Sequence, residues 1–322
     1  MELRVSNEKN KVKKRVLGIL VMLFRYAMLI SIGYIVIFPM ISALSTAIKA
    51  DEAFFDVSLY WLPKYVSVSS FKAAYNAMNY GSSFLRSITL QVVSAGIEVV
   101  MCAIVAYGFA RFDFKFKKVF TVFLMITIIV PVNVYIVSTI VNFRNLDILG
   151  FFGLIAKLTG FDIRPNILNT NLTFYLPSFF AMGLRSGILI YIYIQFMSGL
   201  PKELEEAASI DGAGPFKTFW KIVVPSSSVV ILTVSVFSVI WHWNDSYLSM
   251  MYMTGNYPLA VSLANLGDVL KLNNPFVGAA QSSMIFSTKM AGCLLFVTPL
   301  LIAYLCVQNK FVKSIDRVGI TG

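Results

Sequence analysis

Six apolar runs, each close to the length of a bilayer-crossing helix, constrain this chain more than any other feature: residues 20–48, 87–109, 119–143, 176–196, 226–243 and 284–307. About 20 consecutive apolar residues span the hydrocarbon of a membrane as a helix, because a helix satisfies its own backbone polar groups where no water is present. With 57% hydrophobic and 13% charged residues among 322, the chain has too little charge to clothe one soluble core. The pattern predicts an all-α fold, a polytopic transmembrane helix bundle with six transmembrane helices. The first run is too long for a signal-peptide core and lacks a small-residue cleavage pattern, so it is expected to be retained as the first span.

The positive charges set the orientation. Arg4, Lys9, Lys11, Lys13, Lys14 and Arg15 precede the first run, and Arg111, Lys115, Lys117 and Lys118 follow the second. Lys202, Lys217 and Lys221 follow the fourth, and Lys310, Lys313 and Arg317 follow the sixth. The opposite segments carry fewer for their length: Lys49, Lys64 and Lys72, then Arg144, Lys157 and Arg164, then Lys271 alone. The positive-inside rule therefore places both termini in the cytoplasm of a multi-pass protein of the plasma or inner membrane. Because the basic residues flank apolar runs instead of sharing one folded face, the net charge of +11 points to membrane lipid and away from nucleic acid. Cys102, Cys293 and Cys306 all fall inside apolar runs, where they read as small hydrophobes with no metal or disulfide spacing.

Pro39, Pro131, Pro177 and Pro299 interrupt the runs, and each removes a backbone donor and is expected to kink its helix unless a neighbour or water repairs it. Arg25, near the start of the first run, can snorkel to the inner interface, and three further charges lie within the runs: Glu98 and Arg185 near the middle of the second and fourth, and Lys289 nearer the outer end of the sixth. A mid-bilayer charge costs several kcal/mol, so each should face a protein partner or an aqueous cavity. An ion pair between Glu98 and Arg185 and a direct place on a solute path both stand open. His242, between Trp241 and Trp243, reads as an interfacial residue beside aromatic anchors.

Between the fourth and fifth runs lies Leu200-Pro-Lys-Glu-Leu-Glu-Glu-Ala-Ala-Ser-Ile-Asp-Gly-Ala-Gly-Pro215. Pro201 suits a first helical position, three glutamates complement a helix N-terminus, and Gly212 suits the left-handed turn that ends a helix. These signals predict a helix of about three turns. A second helix is expected from Pro215, with Phe216, Phe219, Trp220 and Val223 on one face, lying along the membrane surface and leading into the fifth span. On the first helix Leu204, Ala207 and Ala208 form a narrow face of small residues, suited to close approach of a partner's backbone or to an interfacial hairpin with no partner.

The same segment resembles the signature loop of ABC importer permeases, whose pattern is Glu-Ala-Ala, three residues, Gly, nine residues, then Ile-x-Leu-Pro. Here it reads Glu206-Ala207-Ala208, Gly212, Ile222 and Pro225 at that spacing, with Val224 in place of the leucine. Leu200 to Glu205 and Asp211 to Gly214 look like the carbohydrate, maltose-type branch, as do Ala106 to Phe112, Trp243-Asn244-Asp245 and the tail Gly319 to Gly322. Arg86-Ser87 stands where that branch often has Asn-Ser, and the outer segment 142–171 is longer than the short loop expected.

The resemblance implies the ABC transmembrane type-1 fold and a permease subunit that pairs with a second homologous permease to form the path for a carbohydrate, an oligosaccharide. Two ATP-binding-cassette ATPase subunits would dock on the signature loop, and an extracytoplasmic solute-binding protein would deliver the solute. The loop residues so implied are Leu204, Glu206, Ala207, Ala208, Asp211, Gly212, Ile222 and Pro225. The chain has no phosphate-binding Gly-x-x-x-x-Gly-Lys-Ser/Thr loop, so ATP and magnesium belong on the partner ATPases and no cofactor is expected here. Four segments follow: a cytoplasmic stretch 1–19, the first span with its outer loop 20–83, a permease core 84–307 containing the coupling loop 197–225, and a tail 308–322.

Three alternatives compete with that reading. An enzyme lacks support, since the one histidine offers neither a His-Glu-x-x-His metal pattern nor a nucleophile partner. An ion-coupled secondary transporter could use Glu98 and Arg185, though the two halves show no clear repeat. An ABC permease for a non-sugar solute also stands open. Sugar recognition combines aromatic faces with amides and hydroxyls, which selects Asn133, Tyr135, Ser138 and Thr139 on the third run and Trp241, Trp243, Asn244 and Asp245 at the fifth as candidates for the path, against helix packing or an aromatic belt.

Overall fold

The computed structural model describes residues 2–49, 65–147, 150–162, 164–273 and 279–319. Lys64 and the tail residues Ile320 to Gly322 lie outside the described residues. Among those described, every regular element is helical, and one isolated antiparallel bridge joins Lys49 and Val66. The chain divides into two compact units, Met1–Ala74 with Lys271–Leu295, and Tyr75–Leu270 with Phe296–Gly322.

The first unit is built on α1, Glu2–Ala47. Most of its large apolar side chains from Leu17 to Leu44 are exposed, as lipid-facing residues of a span are, Phe38 being half-buried, and Pro39 sits inside the helix without ending it. Helix α2, Ser69–Ala77, begins in this unit, where Ser70 Oγ lies 3.0 Å from Ser287 Oγ.

The second unit is organised around one long helix, Tyr80–Arg111. It comprises α3, Tyr80–Ser87, a π-helical turn over Ile88–Val92, and α4, Val93–Arg111. The buried residues of α4 fall on two adjacent rows at a spacing of four: Ser94, Glu98, Cys102 and Ala106, and Ala95, Val99, Ala103 and Tyr107. That spacing brings successive side chains onto one face. Its small members let neighbouring backbones approach closely. Against that face pack α9, Ser186–Ser198, through Leu189, Ile190, Tyr193 and Met197, and α13, Ser228–Trp243, through Val230 and Val234.

Two of the six runs are broken. The third divides into α5, Lys117–Ile129, a short 3-10 turn and α6, Ile136–Arg144. The cause is Pro131, which pushes Val130 out of the helical region, here to extended backbone, and offers no donor of its own. In the fourth run α8, Leu172–Phe179, holds Pro177 near its end, and the chain resumes as α9 only after Ala181 and Arg185 adopt left-handed backbone at φ 54 and φ 61. Among the described residues, three helices are long and apolar enough to cross a membrane, and a bent pair, Pro215–Ser226 with Ser228–Trp243, makes up to four. The outer segment forms α7, Phe151–Thr159.

The four prolines hold different places in their helices. Pro131 ends a helix, Pro177 stays two residues inside one, and Pro39 and Pro299 are carried within long helices, the latter within α16, Ala279–Gly319, which follows α15, Leu259–Asn273.

Candidate functional site

The signature segment is a helical hairpin whose local geometry follows from its residues. Helix α10 spans Glu203–Ile210, two turns and not the three expected, because Pro201 lies before the N-cap residue Lys202 instead of in the first helical position. Glu203, Glu205 and Glu206 occupy its first turn, where unpaired N–H groups favour negative charge. Its end is a Schellman closure: Gly212 takes φ 75, its N–H bonds to the Ser209 carbonyl, and the Ala213 N–H reaches back 2.9 Å to that of Ala208. A β-carbon disfavours this backbone, which is the reason for glycine here.

Pro215 then starts α11, Pro215–Thr218. A π-helical turn over Phe219–Val223 follows, leading into α12, Val224–Ser226. Pro225 has no N–H to continue an ordinary ladder, and the Val224 N–H bonds five residues back to Phe219. The chain bends by 82° into α13. The wider turn also rotates the predicted apolar face: Phe219 and Val223 are buried, whereas Phe216 and Trp220 are exposed.

On α10, Leu204, Glu206 and Ala207 are exposed as expected. Ala208 is not: it is buried, facing the hairpin's own interior. The outward surface continues instead through Ile210, 87% exposed, and Asp211. Ile222 is half-buried and Pro225 exposed.

A contact not anticipated from the sequence ties this hairpin to α4. Arg111 donates from Nε to Glu205 Oε1 at 2.6 Å and from an η nitrogen to the Leu200 carbonyl at 3.0 Å, and the Tyr107 hydroxyl donates to Glu205 Oε2 at 3.0 Å. The Tyr107 ring packs in turn on Phe219, 5.1 Å between centroids. Helix α10 is therefore joined to the last turn of the long helix by two charge-assisted bonds on one carboxylate.

The charges within the spans are arranged otherwise than as a Glu98–Arg185 pair. Glu98 is fully buried, and its carboxylate accepts from Ser186 Oγ at 2.7 Å and Ser238 Oγ at 3.0 Å, with His242 Nε2 at 2.9 Å. The break before α9 and the spacing of α13 bring those hydroxyls and the imidazole to Glu98, and a buried charge needs that satisfaction. His242 is accordingly a buried partner and not an interfacial residue. Beyond it the chain of donors has one direction. Ser249 Oγ donates to Asp245 and accepts from Gln91 Nε2 at 2.7 Å, which leaves Gln91 Oε1 to accept from His242 Nδ1 at 3.3 Å.

Arg185, the N-cap residue of α9, is exposed and lies over the Trp241 ring at 5.0 Å. Trp241 stacks on Phe237, 5.5 Å between centroids. Lys289 is exposed on α16. Of the proposed path residues, Asn133 and Tyr135 are exposed at the break between α5 and α6, and Trp241 is half-buried. Two others are engaged inside the unit. Trp243 is buried and donates to the Phe296 carbonyl at 3.3 Å. Asp245 is buried and accepts from the Leu248 and Ser249 N–H groups, capping α14, Tyr247–Tyr252. Asn244 is exposed, its amide bonded to Ile240 of its own helix.

Residues 99–317 match the family model described as binding-protein-dependent transport system inner membrane component. A maltodextrin transport system permease protein of Streptococcus pneumoniae is 24% identical, over 98% of this chain and 100% of its own length. A trehalose transport system permease protein of Mycobacterium tuberculosis is 24% identical over 90% of this chain and 94% of its own. An osmoprotective compounds uptake permease protein of Synechocystis sp. is 25% identical over 80% and 77%. A chain in the crystal structure of a bacterial ABC transporter that imports the acidic polysaccharide alginate superposes with a TM-score of 0.66 at 17% identity, covering 92% of this chain and 97% of that one. The last likeness is one of fold.

Proposed function

Because the chain belongs to the family of binding-protein-dependent transport system inner membrane components, we propose that it is the permease subunit through which an ATP-driven importer passes a carbohydrate, an oligosaccharide. The relatives named for maltodextrin and trehalose transport support the solute class. A permease subunit of this kind is not itself an enzyme.

In this reading six spans cross the membrane with both termini in the cytoplasm, and a second homologous permease completes the path. Two ATPases carry ATP and magnesium, and an extracytoplasmic binding protein delivers the solute. Each ATPase groove receives an α10 helix by its outward residues Leu204, Ala207, Ile210 and Asp211, with Glu206 pairing a basic group on the ATPase. The observation that carries this is the hairpin itself: a short helix closed by Gly212, presenting an open face, and bonded through Glu205 to Tyr107 and Arg111 at the end of the long helix. A docking face fixed to a span can transmit movement to it.

The test is Ala207→Trp in the assembled importer, measured by co-purification of the ATPase and by solute uptake at matched permease levels. Bulk at Ala207 should hold the two backbones apart and lower both. Unchanged association and uptake would remove the docking role.

A further inference from the structure

Among the described residues, the side chain of Arg185 has no hydrogen-bond acceptor or carboxylate within this chain. Glu98, which stands at a similar depth, is already occupied by Ser186, Ser238 and His242. In the six-span reading proposed above, the 13 residues of α9 rise by about 20 Å and put Arg185 that far from the end carrying the signature hairpin, inside a hydrocarbon core of about 30 Å. A guanidinium at that depth does not face lipid without a large cost, so it borders an aqueous path or another protein.

We propose that Arg185, with the stacked rings of Trp241 and Phe237, forms a binding point on the transport path for a carbohydrate that carries a carboxylate. The proposal rests on the carbohydrate reading above and narrows it to acidic sugars. The chemistry of the three side chains selects that class. The guanidinium carbon lies over the Trp241 ring at 5.0 Å, a contact that helps hold it in place, and its N–H edges meet no acceptor among the described residues. Those edges form a planar fork that matches a carboxylate with two parallel hydrogen bonds, a geometry a lysine cannot offer. Phe237, exposed and stacked on Trp241, offers an aromatic surface to the apolar C–H side of a pyranose ring. A neutral sugar would use the rings and leave the guanidinium unpaired. A uronate would use both.

The complete importer, with its second permease, ATPases and binding protein, is reconstituted in proteoliposomes and its ATPase stimulation measured with short oligosaccharides of galacturonate, glucuronate or mannuronate and with neutral oligosaccharides of matched length. The expected result is stimulation by a uronate oligosaccharide, weakened about tenfold to a hundredfold in half-maximal concentration by Arg185→Gln and partly kept by Arg185→Lys. Stimulation by neutral oligosaccharides alone would overturn the proposal while keeping the carbohydrate reading, and stimulation by no carbohydrate would overturn both. A uronate response unchanged in Arg185→Gln would overturn the assignment of this residue. Loss of the second permease from the purified Arg185→Gln complex would show that the guanidinium pairs with that subunit's carboxylate, and would overturn it equally.

Discussion

Arg111 and Glu205 stand 94 residues apart in the sequence and 2.6 Å apart in space, with their side chains 7% and 16% exposed. Breaking a pair so enclosed leaves one charge without its partner, which costs about 3 kcal/mol. Arg111→Ala should therefore loosen α10 and reduce ATPase co-purification, and Arg111→Glu combined with Glu205→Arg should recover part of it. A double-mutant cycle on the thermal stability of the purified complex measures the coupling, and additive effects would mean that the pair contributes nothing.

A second cycle concerns the buried pair of Glu98 and His242. Neighbours in one hydrogen-bond network couple by about 0.5–3 kcal/mol. Glu98→Gln with His242→Gln should show coupling in that range, whereas Glu98→Gln with Arg185→Gln should be additive. Unfolding of the detergent-purified subunit supplies the four stabilities of each cycle.

Gly183 lies against the same carboxylate. A β-carbon there would come within 2.6 Å of Glu98 Oε1 and 2.8 Å of Ser178 Oγ. Gly183→Ala should cost about 1–3 kcal/mol by displacing Glu98 from its hydroxyl partners. In the Glu98→Ala background the same change should cost much less, and an equal penalty in both would show that the crowding lies elsewhere.

At Gly212 space is open and only the backbone objects, φ being 75. Gly212→Val should cost about 1–2 kcal/mol in hairpin stability, and Gly212→Asn should be tolerated far better. Amide exchange over 203–213, read beside solute uptake, distinguishes the two variants.

Orientation has its own measurement. Single cysteines at Lys115 and Asn256, in a background without the three native cysteines, should respectively resist and accept an impermeant label added outside intact cells. The opposite pattern would reverse the topology proposed above.

The parts of the molecule that were legible beforehand are those governed by local backbone rules. Gly212 and Pro215 mark the hairpin because few other residues take those conformations. Pro131 signals a disturbance of the third run by the same logic, where the sequence points to a kink and the structure ends the helix at Ile129. The break before α9 carried no such signal, since Ala181 and Arg185 adopt left-handed backbone without being glycine. The partner of Glu98 was hidden for a different reason. Ser186 and Ser238 look like ordinary hydroxyls in apolar helices, and His242 between two tryptophans looks like an aromatic belt. Only the packing of α4, α9 and α13 brings them to one carboxylate. Ala208 shows the same limit within a single helix: its small size fits a docking face or a buried one, and the hairpin's closure decides for the second.

The 82° bend between Pro215–Ser226 and Ser228–Trp243 makes the fifth run one arm of a bell crank. Helix α13 has 16 residues, so its lever is about 24 Å long. A turn of about 5° at Ser227 would swing its far end sideways by about 2 Å, the scale of helix shifts that switch an interface. His242, Trp241 and the edge of the Arg185 platform ride on that end, so the polar lock on Glu98 and the aromatic platform would move as one piece when the hairpin is pushed.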